Sequence, residues 1–179
     1  MKSVIFLEKF KAHELNICVR LNGICSNVLV REFFSVISWL GDGRIWYALM
    51  LLFPLVFGEA GVRASVDMAI VAILGHIVYK LIKENTRRPR PYVQSQSITM
   101  GDTPVDQYSF PSGHTLHAVA FTLVAIAHFP SFALLLVPLT VLIAISRMAL
   151  GLHYPSDVVL GAAIGVILAK GVPYLLSII

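Results

Sequence analysis

The sequence predicts an all-α protein embedded in a bilayer: a bundle of six transmembrane helices preceded by an amphipathic helix at the interface. Three observations predict it. Of 179 residues, 57% are hydrophobic and only 13% charged, a balance unlike that of a soluble domain. The stretch from Gln107 to Ser146 contains no Asp, Glu, Lys or Arg. Glycine and proline punctuate the chain between apolar runs, where helices in a membrane must turn.

The elements follow in order. Residues 1–24 alternate apolar and charged positions at helical spacing, with Phe6, Phe10, Ile17 and Leu21 on one face and Glu8, Lys9 and Lys11 elsewhere. Asn27–Leu40 reads as a short first span and Gly41-Asp42-Gly43 as a turn. Ile45–Phe57 is the second span, Gly58–Arg63 a turn, and Ala64–Ile82 the third span. Lys83–Pro111 is the least membrane-like stretch, stopped by its prolines and read as a loop at one face. Pro130 and Ser131 divide the next apolar run into a fourth span, His114–Phe129, and a fifth, Phe132–Arg147. Gly151–Pro155 is a turn, and Ser156–Tyr174 is the sixth span. Several of these fall short of the ~20 residues a perpendicular helix needs, so tilt and interfacial extension are required.

The chain reads as a single domain, 1–179, without internal repeats. The net charge of +4 fits anionic head groups and positive-inside bias. Nucleic acid is not an expected partner, because the basic residues lie between apolar spans rather than on a soluble face. Cys18 and Cys25 have neither metal-knuckle nor redox spacing and read as small apolar residues. Charged residues interrupt the N-terminal apolar positions, which argues against a cleaved leader.

Parity places the chemistry. With six spans, the loop after the third and the turn after the fifth share a membrane face, as do the starts of the fourth and sixth. Lys83, Arg90, Ser112, His114, Arg147, His153 and Asp157 therefore gather at one end of the bundle. Burying such groups beside lipid is costly, so their number points to use. Lys2, Lys9, Lys11, Arg20, Arg31, Arg63 and Lys170 are expected at the opposite face, which would turn the cluster outward.

The residue types suit a phosphate. Arg90 and Arg147 can each offer a planar fork to two oxygens, and Lys83 adds a point charge. Ser112 and the Gly113 amide lie at a helix start, where backbone N–H groups point at anions. His153 and Asp157 are four apart, so on one helix face the carboxylate can hold one imidazole nitrogen and raise the basicity of the other. His117 lies three after His114 but lacks a third ligand, and reads as a polar contact within the bundle. His13, His76 and His128 read as structural or interfacial. Arg87 and Arg88 could meet a head group or water; Tyr108 and Tyr154 flank the cluster. Trp39, Trp46 and Tyr47 read as interface anchors.

Three segments carry a resemblance: Lys83 through Arg90-Pro91, Pro111-Ser112-Gly113-His114, and Ser146-Arg147 through His153 to Asp157. In order and without gaps they match K-x6-RP, PSGH and SR-x5-H-x3-D. The set, 83–157, resembles the type 2 phosphatidic acid phosphatase (PAP2) superfamily of integral membrane lipid phosphatases. The resemblance implies hydrolysis of a lipid phosphate or diphosphate through a phosphohistidine. His153 would attack phosphorus, held by Asp157, and His114 would protonate the leaving oxygen and then activate water. Lys83, Arg90, Ser112, Gly113 and Arg147 would bind the phosphate. No metal or other cofactor is implied, since the cations are side chains. The partners implied are a lipid substrate and the bilayer, in a bacterial inner membrane with the site facing outside. Undecaprenyl diphosphate, with broad lipid tolerance, is the favoured substrate. Phosphatidylglycerophosphate, phosphatidic acid and lipid A phosphate are alternatives. So are lipid-to-lipid phosphotransfer and, for a chain without chemistry, a lipid carrier.

Overall fold

The computed structural model describes residues 2–104 and 106–176. The elements are α1 (Lys2–Ile24), α2 (Val28–Trp39), a π turn (Leu40–Arg44), α3 (Ile45–Thr86), α4 (Pro91–Gln94), α5 (Gly113–His128), a 3-10 turn (Pro130–Phe132), α6 (Ala133–Ala149) and α7 (Pro155–Leu176). No strand occurs among the described residues.

Helix α3 is folded back on itself. Gly58 leaves the helical region at φ 57° and ψ −129°. The Ser65 hydroxyl then donates to the Met50 carbonyl at 2.8 Å, whereas fifteen residues of straight helix would separate them by about 22 Å. A Cβ on Gly61 would collide with the Phe53 carbonyl, so a glycine lets the two arms close. The arms, 45–57 and 59–86, correspond to the second and third expected spans.

The first expected span is not separate. Ser35 donates to the Gly101 carbonyl, and the Gly101 amide bonds Leu150 beyond the end of α6. Ser38 accepts from Arg147, Gly41 abuts Ile143, and Phe53 meets Phe132 at the other end of α6. Residues 35–53 thus run antiparallel to α6 along its whole length. Helix α2, the π turn and the first arm of α3 form one broken rod, and Gly41-Asp42-Gly43 is the break rather than a loop. Among the described residues, three helical stretches are long and apolar enough to cross a membrane: Val28–Gln94, Pro130–Ala149 and Pro155–Val172. The first contains two rods, and α5 adds a fifth between them and α6 and α7. The expectation of six spans is corrected to five rods, because two short apolar runs joined by glycines are one helix with a kink.

The parity argument survives, because the merged span precedes every motif. The charge argument does not. Helix α1 lies across the end of the bundle where the motifs gather: Glu14 contacts Arg88, Cys18 donates to the His153 carbonyl, and Asn22 donates to Ala149 and Thr99. Lys9, Lys11, Arg20 and Arg31 therefore sit on the same side as the motifs, leaving Arg63 and Lys170 at the far end; the Lys2 side chain lies outside those described. The buried stripe of α1 is Glu14, Cys18 and Asn22, while Phe6 and Phe10 are exposed.

Two packing features fix the bundle. At the far end, Phe53, Phe57, Phe129 and Phe132 form an aromatic cluster, with Phe57 stacked on Phe129 at 4.1 Å between centroids. Beside it His128 pairs with Asp67 at 2.8 Å. Along α7, a Cβ on Gly161 or Gly165 would lie 2.5 Å from the carbonyl oxygens of Ser112 or Leu116. These small residues, four apart, let α7 lie against the start of α5.

Candidate functional site

Local sequence chemistry brings the three motifs together. Helix α3 ends with Arg87 in the left-handed region, and its amide bonds the Lys83 carbonyl. Arg90 is extended, as a residue before proline prefers, and Pro91 opens α4. Ser112 caps α5, its hydroxyl paired with Thr115 at 2.9 Å, and its amide donates to the Asp157 carbonyl at 3.0 Å. Arg147 lies in the last turn of α6, and its carbonyl accepts from the His153 amide at 3.0 Å. One face of the bundle thus holds every predicted site residue.

Arg90, Arg147, His153 and Asp157 are 1%, 2%, 1% and 0% exposed, so none of their charges is solvated and each needs a partner. Arg90 donates to His153 Nε2 at 3.3 Å and to the Leu152 carbonyl at 2.9 Å. A guanidinium can only donate, so Nε2 is the unprotonated nitrogen and the His153 proton sits on Nδ1. That nitrogen lies 3.5 Å from Asp157 Oδ2, an ion-pair separation with no hydrogen bond formed. Burial, then Arg147, Arg90, Lys83 and His114, hold His153 well below its ordinary pKa, so it is a neutral imidazole at pH 7.

The cations face two carboxylates from the loop before α5, neither of them in a motif. Asp106 bridges Lys83 Nζ at 2.5 Å and Arg90 Nη2 at 3.0 Å. Burial opposes its charge, but Lys83 and Arg90 outweigh that and hold Asp106 below the usual carboxylate range. Asp102 lies 3.9 Å from Arg147 and accepts from Ser38, which in turn accepts from Arg147. The buried Arg147 Nε has no partner among the described residues.

Arg88 is committed to the scaffold. It donates to Asp157 Oδ1 and the Ser156 hydroxyl, each at 2.7 Å, and to Glu14 at 2.8 Å, and it lies 3.9 Å over the Tyr154 ring. These protein groups take up both of its terminal nitrogens. Arg87 is exposed and bonds only its own helix end, at the Glu84 carbonyl. His117 donates from Nδ1 to the Gly113 carbonyl of its own helix at 2.9 Å and lies among the residues lining the cavity at this cluster. The Tyr154 hydroxyl donates to Gln94 at 2.9 Å.

A cavity of about 690 Å³ opens from this cluster. Lys83, Arg90, Asp106, Gly113, His114, Arg147 and His153 line its polar end. Trp46, Met50, Ala72, Ile73, Ile77 and Phe121 give it an apolar wall between the two arms of α3 and against α5, and His76, Tyr79 and His117 line it as well. Tyr47, Ile73 and Ile77, at 61%, 62% and 49% exposure, put the apolar mouth on the side of the bundle. Ser112 is not among the lining residues, and its hydroxyl caps α5. Trp46 is fully buried in the cavity wall and is no interface anchor.

Sequence reasoning missed four acidic partners: Asp42, which accepts from His114 Nε2, together with Asp102, Asp106 and Glu14. Each lies outside the motifs, in a turn, a loop or a surface helix, where spacing along the chain says nothing about what is met in space.

Comparisons with known proteins identify relatives of the sequence and of the fold. Curated relatives include a decaprenylphosphoryl-5-phosphoribose phosphatase of Mycobacterium tuberculosis, 38% identical over 96 residues, 52% of this chain and 51% of that protein. Undecaprenyl-diphosphatase BcrC of Bacillus subtilis is 33% identical over 123 residues, 68% of this chain and 63% of that one. The chain thus spans about half the length of the first of these relatives. The fold is like that of a PAP2 type phosphatidylglycerolphosphate phosphatase from Bacillus subtilis, with a TM-score of 0.76 at 22% identity, covering 96% of this chain and 88% of that one. Aquifex aeolicus LpxE superposes with a TM-score of 0.74 at 25% identity, covering 87% and 92%. The family description "PAP2 superfamily" matches residues 64–177, which include all three motifs, and the chain belongs to that superfamily.

Proposed function

We propose that the protein is a membrane lipid phosphatase working through a phosphohistidine. The observation that carries this reading is the single cavity that joins the Lys83–Arg90–Arg147 cation cluster and two imidazoles to an apolar trough open on the side of the bundle. An amphiphile with a phosphate head and a long chain matches it at both ends. The chain stays among apolar side chains while the head reaches the cations.

His153 Nε2 attacks phosphorus, and Asp157 steadies the imidazolium that forms. Lys83, Arg90 and Arg147 bind the equatorial oxygens, on which negative charge is spread in the transition state. The Gly113 amide, at the start of α5, adds a backbone donor. His114 gives a proton to the leaving oxygen and later takes one from water. Ser112 acts through its cap, which fixes the α5 terminus. Helix α1 lies at the bilayer interface, with Phe6 and Phe10 in lipid, and the five rods span the hydrocarbon of a bacterial cytoplasmic membrane. With the basic residues of α1 and α2 on the site's face, an outward orientation loses the charge asymmetry on which it rested.

The substrate we favour is undecaprenyl diphosphate, with tolerance for other lipid phosphates. Support comes from the names of two relatives that act on polyprenyl compounds and from a trough open to the bilayer along its side. The test is a panel of undecaprenyl diphosphate, phosphatidylglycerophosphate, phosphatidic acid and lipid A phosphate, with the purified protein in detergent. Highest kcat/KM on the prenyl diphosphate, free inorganic phosphate as product, and loss of acid-labile ³²P label in His153→Ala are expected. Release of no phosphate from any member would overturn the phosphatase reading, and transfer of label to a second lipid would replace hydrolysis by phosphotransfer.

A further inference from the structure

The sequence Gly41-Asp42-Gly43 interrupts a rod that is otherwise helical from 28 to 57. Gly43 makes the break, and Gly41 and Asp42 meet His114. Gly43 sits at φ 107°, and a Cβ there would lie 2.7 Å from the Tyr47 ring, so the break needs glycine. Gly41 packs against α6 and α5: its Cβ would lie 3.0 Å from Ile143 and 3.4 Å from the His114 ring. Between them Asp42 turns into the cavity and accepts from His114 Nε2. A carboxylate half-exposed at a helix break otherwise has a solvated partner available, and Arg44 lies only 3.4 Å from its other oxygen.

We propose that Asp42 is the positioning residue for His114, and that the π turn exists to deliver it. This rests on the phosphohistidine reading above. With Nε2–H engaged by the carboxylate, Nδ1 is the nitrogen left to exchange protons with substrate. In the first step His153 Nε2 forms the N–P bond and the P–O bond to the leaving group breaks. The electron pair departs on oxygen, which takes the proton from His114 Nδ1. In the second step water attacks phosphorus, the P–N pair returns to His153, and the proton lost by water goes to His114 Nδ1. Asp42 stays charged throughout and favours the imidazolium state of His114 over its neutral state. The site then holds two carboxylate–imidazole pairs, Asp157 with His153 and Asp42 with His114, one on each imidazole of the reaction.

The experiment is a single-turnover comparison of wild type and Asp42→Asn on two substrates. One is a short-chain phosphatidic acid, whose alkoxide leaves only when protonated; the other is p-nitrophenyl phosphate, whose leaving group needs no acid. Asp42→Asn is expected to slow phosphoenzyme formation about 10–100-fold on the alkyl ester, a part of the roughly 10²–10⁴-fold that positioned proton transfer supplies. On the aryl ester the loss stays within about threefold, well below the range of positioned proton transfer. Vanadate inhibition is unchanged, which also reports that the variant is folded. Gly43→Ala, which keeps the carboxylate but strains the turn, gives a milder version of the same split. Equal losses on both substrates, or none on either, would overturn the role of Asp42. A wild-type protein that forms no phosphoenzyme would instead sink the phosphohistidine reading.

Discussion

Arg88 Nη1 lies 2.7 Å from Asp157 Oδ1, and the other terminal nitrogen of the same guanidinium lies 2.8 Å from Glu14. One arginine therefore ties the carboxylate behind His153 to the helix that lies across the site. Asp157 is 0% exposed and Glu14 only 3%, so both are buried carboxylates whose shared cation comes from a loop. Removing it leaves two acids uncompensated. Arg88→Ala is expected to destabilise the fold by about 3 kcal/mol, the usual consequence of breaking a buried pair from one side. It should also lower kcat as Asp157 loses its fixed orientation. Thermal unfolding in detergent, read beside turnover, checks both.

The pH dependence follows from His153. Burial and the surrounding cations lower its pKa below the ordinary 6.5. His153, the nucleophile of the proposed reaction, is therefore neutral above that depressed value and protonated only as pH falls through it. The acid limb of kcat/KM that belongs to His153 is expected below pH 6.5. Arg90, Arg147, His114, Asp157 and Asp106 also face this imidazole. Lys83→Met removes a cation, so it should move the limb upward while weakening vanadate inhibition. A limb that stays in place as vanadate weakens would separate Lys83 from His153.

Asp106 occupies the two cations that a phosphate needs. Substrate must compete with that carboxylate. Asp106→Asn is expected to tighten vanadate and phosphate inhibition about tenfold, equivalent to roughly 1.4 kcal/mol. Inhibition constants across the two proteins measure this. A weaker constant in the variant would mean that Asp106 organises the cations rather than competing for them.

Gly161 holds α7 against the Ser112 carbonyl. Gly161→Val forces the two helices apart exactly where α5 begins. The expected cost is about 1–3 kcal/mol from overpacking. Turnover should fall with it, because His114 on α5 and Asp157 on α7 lose their common frame. Valine introduced instead at Gly171, which has open space around its Cα, should do neither.

The cluster was legible in the sequence because motif residues sit at the ends of apolar runs. Run parity alone puts Lys83, His114, Arg147 and His153 on one face, and merging the first two runs leaves that parity intact. The kink at Gly41-Asp42-Gly43 was not legible as a kink. Two glycines around an aspartate have the composition of a loop, and only the packing of residues 35–53 along α6 shows that the rod continues. Asp106 and Glu14 were hidden for a different reason. They meet cations 23 and 74 residues away in sequence, and neither a loop nor an interfacial helix has a periodicity that reports such a meeting. Trp46 was misread because an aromatic residue next to a turn looks alike whether it faces head groups or a cavity.

The four phenylalanines at the base of the bundle impose a direction on traffic. None of them lines the cavity, which stops short of them. Such a vessel is closed at the bottom, so what enters above the phenylalanines must leave above them. On the proposed lipid phosphatase reading, inorganic phosphate would return to the compartment that presented the head group and the dephosphorylated lipid to the leaflet it came from, with no vectorial passage across the bilayer.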